Sequence, residues 1–130
     1  MKTTRRAGGL EWVKERLEAE PSYVQKSMFG CVACYLRGRL VLVIATREEE
    51  PWQGILIPTV REFHEELARL HAGLVRHSVL GKWLYLPRSY EHFEETACAL
   101  IARIVADDPR IGVPAAGESK SLGPMNRRGG

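Results

Sequence analysis

A chain of 130 residues, 45% hydrophobic and 27% charged, has the composition of one globular domain and can bury about two-thirds of its unfolded surface. No apolar run approaches the roughly 20 residues of a membrane-spanning helix, and the charged start MKTTRRAGG has no apolar segment behind it, so neither a span nor a secretory leader is expected and the cytoplasm is the default compartment. Of the net charge of +3, residues 1–6 carry three positive charges and residues 116–130 a net two, which leaves 7–115 at −2; basic tails hold a phosphate backbone weakly, but the folded part carries no basic footprint.

In chain order, Leu10, Val13 and Leu17 form a narrow apolar stripe with Glu11, Lys14, Glu15 and Glu18 outside it, which predicts a helix over 9–20 ended by Pro21. Residues 23–29 alternate imperfectly and read as extended chain leading into the turn at Met28-Phe29-Gly30. Two apolar runs, Cys31 to Leu36 and Arg39 to Ala45, flank Arg37-Gly38 and predict a hairpin, because Gly38 takes the positive φ of a tight turn. Strict alternation would put Leu40, Leu42 and Ile44 on one face and Val41, Val43 and Ala45 on the other. Both faces are apolar, the pattern of a strand central in its sheet.

After the charged loop Thr46 to Trp52, Gly54 to Pro58 reads as a third strand. Thr59-x-x-Glu62 has the form of a capping box opening a second helix at Val60, with Phe63, Leu67 and Leu70 on its core face and Gly73 as C-cap. Residues 74–80 and 82–86 predict a second hairpin around Gly81. Ser89 then caps a last helix to Ala106, with Phe93, Ala97, Leu100, Ile101 and Ile104 buried. The expected fold is a two-layer α+β domain in the order α-β-β-β-α-β-β-α, an antiparallel β-sheet with helices on one face. A basic N-terminus over 1–8, one domain over 9–111 and a mobile tail over 112–130 complete the organisation.

Chemistry-bearing motifs are sparse. Cys31, Cys34 and Cys98 are an odd number without an export signal, so a disulfide framework is not expected. Cys31-x-x-Cys34 has neither a second ligand pair nor a helix start, and on a strand the two thiols point to opposite faces, so packing is the expected role. His64 and His71 lack the i, i+4 spacing of a helical metal pair and read as surface residues. Glu48, Glu49 and Glu50 read as a solvated loop. G-x-S-x-G, P-loop and G-x-G-x-x-G motifs are all missing. No enzyme and no cofactor is expected on these grounds.

Lys26-x-Met28-Phe29-Gly30, then Tyr35, then Gly38-Arg39 and an apolar strand, resemble the N-terminal domain of the TfoX/Sxy family, and Tyr85-Leu86-Pro87 before an amphipathic helix looks like that family's closing segment. The likeness covers about residues 10–110. Cys31 and Ala33 stand where the family often has glycine, and the second domain of longer members is missing. The resemblance implies a two-layer fold shared with YjbR-like proteins, frequent dimerisation, and a non-enzymatic regulatory role exercised through partner proteins. It carries no catalytic residue over.

The partner reading centres on the sheet face that helices leave uncovered, with Trp52, Val41 and Val43 as candidate interface residues, and favours a homodimer or another protein as partner. The alternative is a nucleic-acid-binding module in which Arg76, His77, Lys82 and Trp83 form a basic-aromatic patch across the second hairpin. A small enzyme of unknown reaction is a further alternative, since triads are spatial rather than sequential.

Overall fold

The computed structural model describes residues 9–115. A 3-10 turn, Glu11–Lys14, runs into α1, Glu15–Glu18, and is followed by β1 (Val24–Met28), β2 (Cys31–Leu36), β3 (Arg39–Thr46) and β4 (Gln53–Ile57). A 3-10 turn at Arg61–Phe63 opens α2 (His64–Leu70). Then come β5 (Val75–Arg76), β6 (Leu84–Pro87), α3 (Phe93–Val105) and β7 (Val113–Pro114). The expected α+β class is observed: one antiparallel sheet with its helices on one side. The strand order is β1-β2-β3-β4-β6-β5, with β7 beside β3.

Two tight turns build the first three strands. Met28 pairs with Cys31 around Phe29-Gly30, and Leu36 pairs with Arg39 around Arg37-Gly38. All four turn residues have positive φ, 54° and 73° in the first turn and 54° and 77° in the second. That is the backbone of a type I′ turn, whose twist matches the strands it joins. The entry segment before Gly30 is thus a paired edge strand rather than a lead-in.

The helical layer packs on Cys34, Leu36, Val41, Leu42, Ile44, Ile55, Ile57, Leu84 and Leu86. From α3 it receives Phe93, Ala97, Leu100, Ile101 and Ile104, the stripe expected from the sequence. Leu42, Ile55, Ile57, Leu86 and Leu100 are fully buried, and each such side chain contributes about 1.5–3 kcal/mol of transfer free energy. A second cluster lies on the helix-free face: Ala33, Tyr35, Leu40, Val43, Leu56 and Tyr85, joined by Trp52 and Trp83.

Four local expectations change. First, alternation in β3 slips at Val41. Cys34 pairs with Leu42 but Tyr35 pairs with Leu40, so Val41 is the extra residue of a β-bulge. Val41 therefore turns into the helical layer and Leu40 joins Val43 and Ala45 on the opposite face. Second, Thr59 caps nothing: its hydroxyl donates to the Arg110 carbonyl at 2.6 Å, and α2 begins only at His64, with Val60 46% and Leu70 47% exposed. Third, β5 is two residues long, and 77–83 form a folded loop rather than a hairpin strand. Fourth, pairing extends past residue 111, because Val113 and Pro114 pair with Leu40 and Arg39. The expected mobile ends otherwise fall outside the described residues.

Candidate binding groove

One side of β3 is shared by two partners. β4 pairs with its second half, Val43–Thr46, and β7 with its start, Arg39 and Leu40. Where β4 ends, the chain crosses at Pro58, whose carbonyl accepts the Gly112 N–H at 2.7 Å. Beside this exchange of partners the helix-free face is not closed. A groove of about 570 Å³ opens there, within the roughly 300–1,000 Å³ of small-molecule sites.

Burial orders its lining. Leu40, Thr59 and Trp83 are 3%, 2% and 6% exposed and lie deepest. Met28, Leu80 and Val113 are half-buried. Phe29, Val60, Arg61 and Lys82 are exposed at the mouth, with Phe29 at 51%. Every position here depends on a feature described above: the bulge presents Leu40, the β1–β2 turn presents Phe29, and the short β7 presents Val113. The Thr59 hydroxyl is engaged with Arg110, so the interior is essentially apolar. Among the described residues, no acidic side chain lines the groove.

Next to it stands a polar staple. His77 is 1% exposed and lies edge-on to Trp52 and Tyr85, at ring centroid distances of 4.7 and 5.2 Å. Its Nδ1 accepts from the Leu80 N–H at 2.8 Å, and its Nε2 lies 2.8 Å from the Pro51 carbonyl. The ring is thus neutral with the proton on Nε2. Burial lowers its pKa, against the Pro51 hydrogen bond, which raises it. The Tyr85 hydroxyl donates to Glu50 Oε1 at 2.7 Å and accepts from the Gln53 N–H at 2.8 Å. Burial, and then the Glu50 hydrogen bond, raise the Tyr85 pKa.

The candidate interface residues lie inside the fold. Val41 is 4% exposed in the helical layer, Val43 is 0% exposed in the opposite cluster, and Trp52 is 8% exposed under the Arg47 guanidinium at 4.9 Å. The basic-aromatic patch is also divided. His77 and Trp83 are buried, and only Arg76 and Lys82 reach solvent. Arg76 Nε donates to the Gly81 carbonyl at 3.1 Å and Lys82 lies over the Trp83 ring at 5.4 Å. Neither aromatic ring of this set stands on the exposed surface, where a stacking platform for bases would lie.

A second charged cluster sits at the end of α3. Asp108 accepts from Arg103 and from the backbone and side chain of Arg110, and Arg110 also pairs with Glu66. These bonds, Arg110 first, hold the Asp108 carboxyl well below the usual carboxylate range. His71, expected at the surface, is 6% exposed and accepts from Arg103 Nε at 2.6 Å. Cys31 and Cys34 are buried on opposite faces, as strand geometry requires, and burial raises both thiol pKa values. Among the described residues no cluster of three His, Cys, Asp or Glu is placed to hold a metal, and no helix is long and apolar enough to cross a membrane.

The groove was not readable as such in the sequence. Its one visible signal is Val60, an apolar residue ahead of the turn that opens α2, which the fold leaves 46% exposed. Set against protein-family models, curated proteins and solved structures, the chain finds no match.

Proposed function

We propose that the chain is a non-enzymatic association domain that pairs with a second copy of itself, the kind of role implied by its resemblance to the TfoX/Sxy N-terminal domain. The observation that carries this reading is the β1 edge. β1 is the outer strand of the sheet, it is exposed over Val24 to Ser27, and two half-exposed apolar side chains, Val24 at 49% and Phe29 at 51%, flank it. The opposite edge, β5, is only two residues long. A long open edge is a template for pairing with another strand, and a short one is blunted. The non-enzymatic reading is supported by the placement of four titratable groups with shifted pKa values: His71, His77, Tyr85 and Asp108 are bonded to other protein groups and turned from solvent.

In a two-residue hairpin the pair flanking the turn is hydrogen-bonded, and bonded pairs then alternate. Met28, Lys26 and Val24 therefore bond to β2, and the N–H groups of Gln25 and Ser27 point outward. Ser27→Pro removes an outward donor without touching a β1–β2 bond, as proline allows on edge strands. Light scattering on the full chain at about 50 μM, a concentration at which interfaces of standard size are populated, is expected to give a dimer mass, and Ser27→Pro a monomer mass. A monomer for the unsubstituted chain overturns the reading.

A further inference from the structure

The geometry points to the groove on the helix-free face as a site for a free amphipathic monocarboxylate, with its apolar body against Leu40, Trp83 and Val113 and its carboxylate at Arg61 and Lys82. This goes beyond self-association, since it needs only one copy of the chain. Three observations carry it. The volume, about 570 Å³, is that of a small-molecule site. The deep lining is apolar, and its one hydroxyl, on Thr59, already donates to the Arg110 carbonyl. A ligand body offering many hydrogen-bond groups would find few partners in this lining and would lose hydration.

The mouth is one-signed. Arg61 and Lys82 both line it, both are exposed, and among the described residues no carboxylate lines it with them. Several cations of this domain are paired with carboxylates, Arg37 with Asp107, Arg47 with Glu49, and Arg110 with Glu66 and Asp108, while others such as Arg16, Lys26 and Arg69 are exposed without such a pair among the described residues. What sets Arg61 and Lys82 apart is that both border the same apolar slot. Arg61 and Lys82 have no such pair among the described residues, and the only contact of the Lys82 ammonium is the Trp83 ring. Two unpaired cations over an apolar slot complement a ligand with one anionic end and an apolar remainder. Phosphates and nucleotides leave the slot unused, and neutral hydrocarbons leave the cations unused. Arg61 precedes α2 and Lys82 lies in the 77–83 loop, so the two charges at the mouth come from different segments of the chain.

The test is calorimetric titration of the full chain with dodecanoate below its micelle concentration, with tryptophan fluorescence as a second readout because Trp83 lines the groove. Dodecanol and dodecyltrimethylammonium carry the same body with no charge and with the opposite charge. Dodecanoate is expected to bind saturably, one per chain, with Kd about 10–100 μM, and both other probes about tenfold more weakly or not at all. Arg61→Gln with Lys82→Gln is expected to bring dodecanoate to the level of dodecanol. Val60→Trp, at an exposed mouth position where folding is not at stake, is expected to weaken binding of both by about tenfold. Ser27→Pro is expected to leave the affinity unchanged, whatever the chain's association state. No saturable binding, equal binding of all three probes, or dodecanoate binding indifferent to loss of both cations overturns the assignment. Loss of binding in Ser27→Pro overturns it as well, because the site would then need two copies.

Discussion

The Nε2 of His77 lies 2.8 Å from the carbonyl oxygen of Pro51, while its Nδ1 accepts from the Leu80 N–H. One ring thereby ties the loop before β4 to the loop before β6. Protonation would turn Nδ1 from acceptor to donor and set it against the Leu80 N–H. The folded chain therefore prefers the neutral ring, and burial lowers the His77 pKa beneath its ordinary 6.5. Burial and the Arg103 charge lower His71 in the same direction. The unfolded state then binds more protons, so stability is complete above about pH 6.5 and falls as the pH drops through that value toward the folded-state pKa. Urea midpoints at about pH 7.5 and pH 5.5 are expected to show this loss, and His77→Gln to show a smaller one. An equal loss in the variant would remove His77 from the explanation.

Gly54 and Gly38 separate two reasons for glycine. A Cβ on Gly54 would stand 2.1 Å from the Leu86 carbonyl oxygen, in the ladder between β4 and β6. Backbone cannot yield there as a side chain can, so Gly54→Ala is expected to cost about 3 kcal/mol. Gly38 has open space around it and only its φ of +77° to satisfy, so Gly38→Ala is expected to cost about 1–2 kcal/mol. Thermal unfolding of the two variants checks the order. Equal losses would mean that the β4–β6 approach is looser than it stands here.

Asp108 gathers Arg103 and Arg110 beneath the end of α3, with Glu66 and His71 bonded to the same arginines. Asp108→Ala removes the acceptor that Arg103 and Arg110 share at a half-buried site, leaving them only His71 and Glu66, and is expected to lower stability by about 2 kcal/mol. The carboxyl's pKa is depressed, so its contribution is present above its ordinary 3.8 and is lost as the pH falls below that. Chemical denaturation at neutral pH measures the first effect, and the acid unfolding midpoint, expected to move up in the variant, measures the second.

Thiol chemistry divides the three cysteines. Cys98 is exposed, whereas Cys31 and Cys34 are buried with raised pKa values. A disulfide reagent at neutral pH is expected to modify Cys98 alone in the folded chain and all three cysteines in urea. Rapid native reaction of Cys31 or Cys34 would show that β2 opens readily.

Strong periodicity was legible: the α3 stripe, the Arg37-Gly38 turn and the layer arrangement follow from it. What stayed hidden has identifiable causes. β1 carries no buried stripe, since Val24 to Ser27 are exposed, and an edge strand without an apolar face is silent to periodicity. The bulge at Val41 is silent for the opposite reason. In Leu40-Val41-Leu42-Val43-Ile44 both faces are apolar, so a slip in phase changes nothing in the pattern while moving Leu40 to the other side of the sheet. Thr59-x-x-Glu62 meets the local rule for a cap, yet the nearby Arg110 carbonyl wins the hydroxyl. The groove is assembled from β1, β3, β7 and two loops, and no single stretch of sequence contains it.

The two positive-φ turns also bear on how the chain assembles. Between Val24 and Thr46 the strands meet neighbours across two-residue connections, so ring closure is entropically cheap and hairpins of this kind form within about 1–10 μs. The contacts that finish the domain join distant positions: Arg37 with Ile104 at 2.7 Å, Pro58 with Gly112, Thr59 with Arg110. The meander holds the local contacts, which are expected to form first, and the last ten described residues fasten onto it through contacts of large sequence separation. The groove needs Leu40 from the meander and Val113 from the closing segment, so it is expected to be complete only once those distant contacts are made.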